Sequence, residues 1–129
     1  MIFKSFEKQH YLNLETFRKN GQGVKTPVWF AQEGEFLYVW TQRGTGKAKR
    51  VRNNGTVNIA PCTASGGLLG EWVPAYATAD ETPAAVKHVE ALMIKKYRLM
   101  FYFFGFIARM RGGSAYTAIR IQAQQASSS

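Results

Sequence analysis

The residues with the clearest chemical potential lie in the stretch RGTGKAKRVRNNGTVNIAPC, from Arg43 to Cys62. Its basic side chains are Arg43, Lys47, Lys49, Arg50 and Arg52, and Lys25 from an earlier strand is a possible further neighbour. A helix that begins behind Gly44 and Gly46 presents backbone N–H groups and a partial positive charge, which suit a phosphate. Lys47 and Arg50, three residues apart, share one face of that helix. The spacing matches neither a Walker A loop nor a GxGxxG motif, so a solvated charged helix, a nucleic-acid contact and a cofactor phosphate stay open.

Catalytic constellations are sparse in the rest of the chain. Ser65 and Ser114 have no plausible His–Asp partners, so the sequence does not support a hydrolase triad. Five carboxylates fall mostly in turns and at strand ends, where they favour solubility over acid–base chemistry: Glu33, Glu35, Glu71, Asp80 and Glu81. Cys62, the only cysteine, follows Pro61 and is expected to be a buried, inert thiol. We predict no metal site and assign no catalytic residue, so a cofactor would have to carry any chemistry.

Composition and charge limit the class of protein. The chain has 129 residues, 46% of them hydrophobic and 14% aromatic, which is typical of one globular domain. We place that domain at 1–122 and a loose polar tail at 123–129. The formal charge of +9 attracts anions without identifying them. The N-terminus lacks the features of a signal peptide, and the apolar run from Leu99 to Met110 is shorter than the roughly 20 residues that a spanning helix needs. We therefore expect a cytoplasmic protein with no membrane span, and interfacial membrane contact as the lesser alternative.

The pattern along the chain predicts six strands and two helices. The strands are expected at 10–18, 24–31, 36–41, 56–62, 70–80 and 114–122, with Asn20-Gly21 as a hairpin turn. Pro27 marks its strand as an edge, a bulge or a place of open backbone. Thr45 is expected to cap a helix over 47–53 that ends in a left-handed stop at Asn54-Gly55. Thr82 and Pro83 open a longer helix, which continues through Arg111 with a break near Gly105.

These elements predict a mainly β fold: a small antiparallel barrel with helices on its outside. The long helix carries its apolar side chains on one face, namely Val86, Val89, Leu92 and Met93. In a nucleic-acid-binding barrel, Trp29, Tyr38 and Trp40 could stack bases. Their apolar neighbours favour the core instead, and no recognised nucleic-acid motif is present, so we expect no nucleic-acid partner.

The order of four motifs resembles the pyridoxamine 5'-phosphate oxidase-like split-barrel superfamily, and is most similar to its deazaflavin- and flavin-dependent oxidoreductases. The motifs are Thr26 to Trp29, Thr41, Gly46 to Arg50, and Ala60 to Cys62. The resemblance covers about Tyr11 to Asp80. It implies a six-stranded antiparallel split barrel of the FMN-binding type.

The resemblance also implies a function and a site. Members are homodimers with cofactors at the subunit interface, which here would be coenzyme F-420 or FMN, used for hydride transfer to a small organic molecule. The expected cofactor-binding residues are Thr26, Pro27, Val28 and Trp29 along the ring, Lys47 and Arg50 at the phosphate with Lys49 and Arg52 as further candidates beside them, Thr41 and Gly46 of the matching motifs, and Ala60, Pro61 and Cys62 on the neighbouring wall. Members often carry Asn-Pro where this chain has Asn54-Gly55. The alternative within the same fold is a flavin- or deazaflavin-binding protein without turnover. The Phe-rich late helix would pack on the barrel or on the partner subunit.

Overall fold

The structure, a computed structural model, describes residues 3–104 and 116–124, with residues 98–104 described by their backbone alone. A 3₁₀ helix at Lys4–Phe6 precedes the sheet, whose strands are β1 (Tyr11–Phe17), β2 (Gly23–Trp29), β3 (Ala31–Glu33), β4 (Phe36–Gln42), β5 (Thr56–Cys62), β6 (Val73–Asp80) and β7 (Tyr116–Ala123). Helix α1 (Gly46–Asn53) connects β4 to β5, and α2 (Pro83–Phe104) follows β6.

The strands form one antiparallel sheet in the order β2-β1-β5-β6-β7-β4-β3. Strands β2 and β3 lie at opposite edges of this sheet, yet only Phe30 separates them in the chain. The sheet must therefore curl until its edges meet. The gap between β2 and β4, which contact each other without pairing in the described sheet, is called the split below. The prediction of a mainly β antiparallel split barrel is confirmed.

The prediction of six strands is wrong by one, because the run expected at 24–31 divides at Phe30. The Phe30 N–H donates to the Tyr97 hydroxyl (3.1 Å), and its carbonyl accepts from Lys96 (2.8 Å) and lies 2.7 Å from the Tyr97 hydroxyl. These bonds from α2 take the backbone groups that a continuous strand would have used in its ladder. The other strand boundaries shift by a few residues, and Ser114, Ala115 and the tail beyond Gln124 lie outside the described residues.

The turns in the first half of the chain lie where the sequence predicts them. Gly21 adopts a φ of +90° between β1 and β2, and its N–H donates to the Arg18 carbonyl. Gly34, with a φ of +60°, turns the chain between β3 and β4. The predicted Asn20-Gly21 hairpin is confirmed. Strand β2 is an edge strand, which accommodates Pro27.

The barrel interior is filled by alternate residues of the strands. The fully buried side chains there include Leu12, Leu14, Leu37, Val39, Val57, Ile59, Ile119 and Ile121. Phe6 of the 3₁₀ helix also lies in this core, with its ring edge-to-face against Phe3 and Phe30 at centroid distances of 5.8 and 6.0 Å. The N-terminal segment therefore contributes to the core of the barrel.

Helix α1 ends at the predicted place but not in the predicted conformation. Its C-cap residue Asn54 is extended (φ −150°), and no left-handed residue follows it. Gly55 is needed for a different reason: a Cβ there would lie 2.7 Å from the Ala77 carbonyl oxygen, and the Ala77 N–H donates to the Gly55 carbonyl at 2.8 Å. The correction is that close approach to β6, rather than a positive φ, requires the glycine.

We expect Gly55→Ala to lower the free energy of unfolding by about 1–3 kcal/mol, because the added methyl must push strand backbone aside. Gly44→Ala is the matched control, since a Cβ at Gly44 meets nothing within 4 Å. Its effect should be about 0.5 kcal/mol or less. Urea unfolding of the two variants measures both values, and equal effects would contradict the packing argument.

Helix α2 begins as predicted. The Val86 N–H donates to the Thr82 carbonyl (3.0 Å), and the Ala85 N–H donates to the Thr82 hydroxyl (3.3 Å). Val89 and Met93 are buried against the outer face of the sheet, with Val86 and Leu92 partly buried beside them. The helix departs from helical dihedral angles at Tyr97 (φ −113°, ψ 25°). The predicted break near Gly105, the continuation to Arg111 and the packing of the Phe-rich face lie outside the described side chains. Within the described part of the chain, no helix is both long and apolar enough to cross a bilayer.

Candidate functional site

Helix α1 packs on the barrel through a small apolar face, and its cationic side chains surround that face. Ala48 and Val51 are buried, so the basic residues are left at the margins of the contact. The predicted cap is confirmed, because the Thr45 hydroxyl accepts from the Ala48 N–H at 3.4 Å and donates to the Gln42 carbonyl at 2.9 Å. Thr41, at the end of β4, lies 3.4 Å from Thr45, oxygen to oxygen. This contact connects the strand to the start of the basic helix.

The basic residues predicted from the sequence divide into two groups, one of which forms salt bridges with Glu81. Its carboxylate lies 3.2 Å from Arg43 Nε and 2.5 Å from Arg52 Nη1, and it also accepts from the Thr117 hydroxyl at 2.9 Å. Arg52 donates in addition to the Arg43 carbonyl (3.1 Å). Arg43 and Arg52 therefore attach α1 and the loop before it to the start of α2, and the two guanidinium groups share the single negative charge of Glu81.

The second group surrounds a cavity of about 460 Å³, called the α1 cavity below. It is lined by Phe17, Arg18, Lys19, Lys49, Arg50, Asn53 and Asn54. Four of these side chains are cationic, two are amides and none is a carboxylate. Among the described residues, none of the four cations forms a salt bridge. A concave surface with this donor set is suited to an anion.

Arg50 is held in place at this cavity. Its Nε donates to the Thr16 hydroxyl on β1 at 2.6 Å, and Thr16 is fully buried. Gly46 makes room for the guanidinium, since a Cβ there would lie 2.7 Å from Arg50 Nη1. A cation fixed in this way loses less side-chain entropy when it binds a ligand.

The pKa values of two cations of the helix are shifted. Burial, with a contribution from Arg50, lowers the pKa of Lys47 below its usual range. Burial, with a contribution from Arg18, likewise lowers the pKa of Arg50. Burial is the main cause of both shifts, and a neighbouring cation adds to each. A bound anion would favour the charged form of each group.

The predicted ring-binding residues lie on the edge strand next to the split. In the register of β2 with β1, Thr26 and Val28 stand opposite Leu14 and Leu12, which face the barrel interior, so Pro27 and Trp29 face outward. Strand β2 begins at Gly23, opposite Phe17 at the wall of the α1 cavity. Thr26 lies three positions after Gly23, which corresponds to a rise of about 10 Å along the strand. The predicted ring-binding residues therefore begin about 10 Å along β2 from the residue that pairs with the wall of the α1 cavity.

Ala60, Pro61 and Cys62 are all buried, one strand further from the split. They pair with Asn13, Leu12 and Tyr11 of β1, so β1 separates them from β2. The loop after β5 folds back along them, with the Leu69 N–H donating to the Pro61 carbonyl at 2.8 Å. Burial raises the pKa of the Cys62 thiol, in agreement with an inert cysteine. Their role as ring contacts stays a prediction.

Lys25 does not join the basic helix. Its Nζ lies 5.3 Å from the centroid of the Trp72 ring, and its strand position is opposite Glu15 on the outer face. Arg50, in contrast, reaches Thr16, whose alternation with Leu12 and Leu14 places it on the inner face. The hypothesis of Lys25 as a further member of the cluster is therefore wrong.

Sequence reasoning missed Phe17 and four polar residues of the α1 cavity: Arg18, Lys19, Asn53 and Asn54. The available signal was the adjacent pair Arg18-Lys19 directly before the hairpin turn, which lies near α1 because α1 packs against β1. No cluster of His, Cys, Asp or Glu side chains in the described ranges could hold a metal ion.

Comparison with known proteins gives structural likeness only. No family model matches the chain, and no curated protein is similar enough in sequence to count as a match. Among solved structures, the chain resembles a protein assigned as a pyridoxamine 5'-phosphate oxidase from Listeria innocua, with a TM-score of 0.67, 15% identity and coverage of 96% of this chain and 91% of that one. It also resembles HutZ, the heme storage protein from Vibrio cholerae (TM-score 0.69, 19% identity, coverage 96% and 88%). An F-420 reductase matches with a TM-score of 0.58 and 15% identity over 95% and 92% of the two chains. At these identities the comparisons show a shared fold, whose members have different ligands.

Proposed function

Because the chain has the split-barrel fold of the pyridoxamine 5'-phosphate oxidase-like superfamily, we propose that it is an oxidoreductase that uses coenzyme F-420 or FMN. Its reaction would be hydride transfer to a small organic molecule. The observation that carries the proposal is the α1 cavity, which lies between α1 and the end of β1 and has four cations and no carboxylate in its lining. The sequence motifs at Thr26–Trp29 and Gly46–Arg50 support the same cofactor class.

The donor set of the cavity fits the anionic end of such a cofactor. Guanidinium and ammonium groups form charge-assisted hydrogen bonds with phosphate oxygens, and the amides of Asn53 and Asn54 can add neutral ones. Coenzyme F-420 carries an oligoglutamate tail beyond its phosphate, so a chain with a formal charge of +9 suits it as well as it suits FMN.

The residues take separate roles in this proposal. Lys49 and Arg50 would hold the phosphate together with Arg18 and Lys19, and Lys47 would add charge from the preceding turn of α1. Thr26, Pro27, Val28 and Trp29 would line the ring, with Thr41 and Gly46 at the junction of β4 and α1, and Ala60, Pro61 and Cys62 behind. When bound, the ring supplies the two-electron chemistry. The chain's own part is to bind the phosphate, orient the ring and exclude water from one side of it.

We further propose a homodimer with the cofactor at the interface. The supporting observation is the exposure of three large apolar side chains: Leu68 (50%), Leu69 (55%) and Tyr76 (45%). Leu68 and Leu69 are adjacent in the chain, and contiguous exposed apolar surface often marks an interface. A second subunit would also cover the side of the cofactor site that the edge strand β2 leaves exposed.

The experiment is a parallel fluorescence titration of the purified protein with F-420, FMN and haem. The proposal predicts micromolar or tighter binding of F-420 or FMN, and a weaker response to haem. Oxidation of the reduced cofactor by unsaturated or nitro acceptors would then separate an enzyme from a binding protein without turnover. Selective binding of haem, or of none of the three, would contradict the proposed function.

A further inference from the structure

Phe30 is the point at which the two edges of the sheet meet, and α2 rather than a strand satisfies its backbone. Its N–H donates to Tyr97 Oη at 3.1 Å. Its carbonyl lies 2.7 Å from Tyr97 Oη and 2.8 Å from Lys96 Nζ. Phe30 is fully buried, so these groups could not exchange their partners for water.

The hydrogen bonds can all be satisfied only if Lys96 and Tyr97 act together. The Tyr97 hydroxyl has one proton, yet it lies within bonding distance of two carbonyl oxygens, those of His10 (2.6 Å) and Phe30 (2.7 Å). Lys96 can donate to Phe30, which leaves the Tyr97 proton for His10. The hydroxyl then joins the residue before β1 to the residue after β2.

Lys96 is positioned to donate a hydrogen bond to the Phe30 carbonyl. Its ammonium lies 3.5 Å from the centroid of the Phe30 ring, a distance at which a cation and a ring attract each other. Burial lowers the pKa of Lys96 to about 8. Within the described residues, no carboxylate forms a salt bridge with it.

The ring of Tyr97 makes a second contact with the same strand. It stacks on Trp29 at a centroid distance of 4.6 Å and an interplanar angle of 10°. Tyr97 is also the residue at which α2 leaves helical dihedral angles. One side chain of α2 therefore holds both the backbone after β2 and the last side chain of β2.

We propose that Tyr97 is a positioning residue for the cofactor site: through Phe30 and Trp29 it fixes the free edge of β2 at the split. Lys96 completes the arrangement by occupying the Phe30 carbonyl. The affinity for the cofactor then depends on a hydroxyl that does not touch it. The identity of the ligand rests on the proposed function, whereas the position of β2 is a property of the chain alone.

The test compares Tyr97→Phe, which removes the hydroxyl and keeps the ring, with the wild-type protein. We expect the Phe30 amide to exchange its hydrogen about 5- to 100-fold faster, since it loses a buried hydrogen bond. The dissociation constant for F-420 or FMN should rise about 5-fold or more in the folded variant, because β2 is less well fixed. Should Tyr97→Phe not fold, Lys96→Met probes the same carbonyl, with a smaller change expected in the same direction.

Met93→Ala is the control for a general loss of stability. Met93 is buried on the same helix, but among its described contacts there is no hydrogen bond to β2. Met93 shares a hydrophobic cluster with Tyr97 and Trp29 but does not bond the Phe30 backbone, so Met93→Ala should destabilise the protein and change the affinity of the folded fraction much less than Tyr97→Phe does. Unaltered Phe30 exchange in Tyr97→Phe, or an equal loss of affinity in Met93→Ala, would overturn the inference. If the wild type binds neither cofactor, the proposed function and the affinity claim both fail, and the exchange measurement alone decides whether Tyr97 positions β2.

Discussion

Replacing Arg50 with alanine is expected to weaken the binding of F-420 or FMN by about 10- to 150-fold. The reason is the loss of a charge-assisted contact with the phosphate, worth about 1.5–3 kcal/mol. Arg50 should have the largest effect in the cavity because the Thr16 hydroxyl already holds its guanidinium in place (2.6 Å). The quench titration used for the wild type measures the change.

Arg52→Ala is the matched control for this prediction. It removes the same charge from the same helix, but Arg52 is paired with Glu81 and does not line the α1 cavity. Its dissociation constant should stay within about twofold of the wild-type value. If Arg52→Ala weakened binding as much as Arg50→Ala, the affinity for the anion would depend on the total charge of the helix. The assignment of the α1 cavity as the binding site would then be wrong.

Replacing Phe6 with alanine is expected to cost about 3–5 kcal/mol of the free energy of unfolding. Phe6 has no exposed surface and closes the barrel core by its edge-to-face contacts with Phe3 and Phe30. Removal of the ring leaves a cavity in the core, which the surrounding residues can fill only in part. Urea unfolding followed by circular dichroism measures the loss of stability.

Phe36→Ala provides the comparison, since Phe36 is only partly buried, at the start of β4. We expect it to cost less than half as much as Phe6→Ala. A Phe6→Ala variant as stable as the wild type would show that the N-terminal segment does not belong to the core.

Local patterns predicted most of the architecture. The alternation of apolar residues located the strands, and Asn20-Gly21, Thr45 and Thr82 marked a turn and two helix starts correctly, because each depends on chemistry within a few residues. The order of motifs then indicated a split barrel. The predictions that were wrong concern features that depend on contacts between distant parts of the chain.

The division at Phe30 is the clearest of these failures. Nothing near Phe30 in the sequence marks it, since the groups that interrupt the strand belong to Lys96 and Tyr97, more than 60 residues later. The role of Gly55 was missed for the same reason, because its neighbour Ala77 is on another strand. Periodicity cannot report a tertiary contact of this kind.

The candidate site was predicted in part. The basic helix was found and Arg50 was preferred to Arg52, but Lys47, which was preferred equally, does not line the cavity, and the pairing of Arg52 with Glu81 was not foreseen. Arg18 and Lys19 were missed because they lie near the helix only through the packing of α1 against β1, a contact between distant parts of the chain. The location of the cations was thus predictable, whereas their availability to a ligand was not.

The most direct test of the central claim, that the α1 cavity binds the phosphate of a flavin-type cofactor, is a double-mutant cycle on that phosphate. Dissociation constants are measured for the wild type and Arg50→Ala with F-420 and its phosphate-free deazaflavin, or with FMN and riboflavin, according to which phosphorylated form binds. We predict that removing the phosphate weakens binding to the wild type by about 10-fold or more and to Arg50→Ala by much less. An equal loss in both proteins would mean that Arg50 does not contact the phosphate, and would contradict the claim.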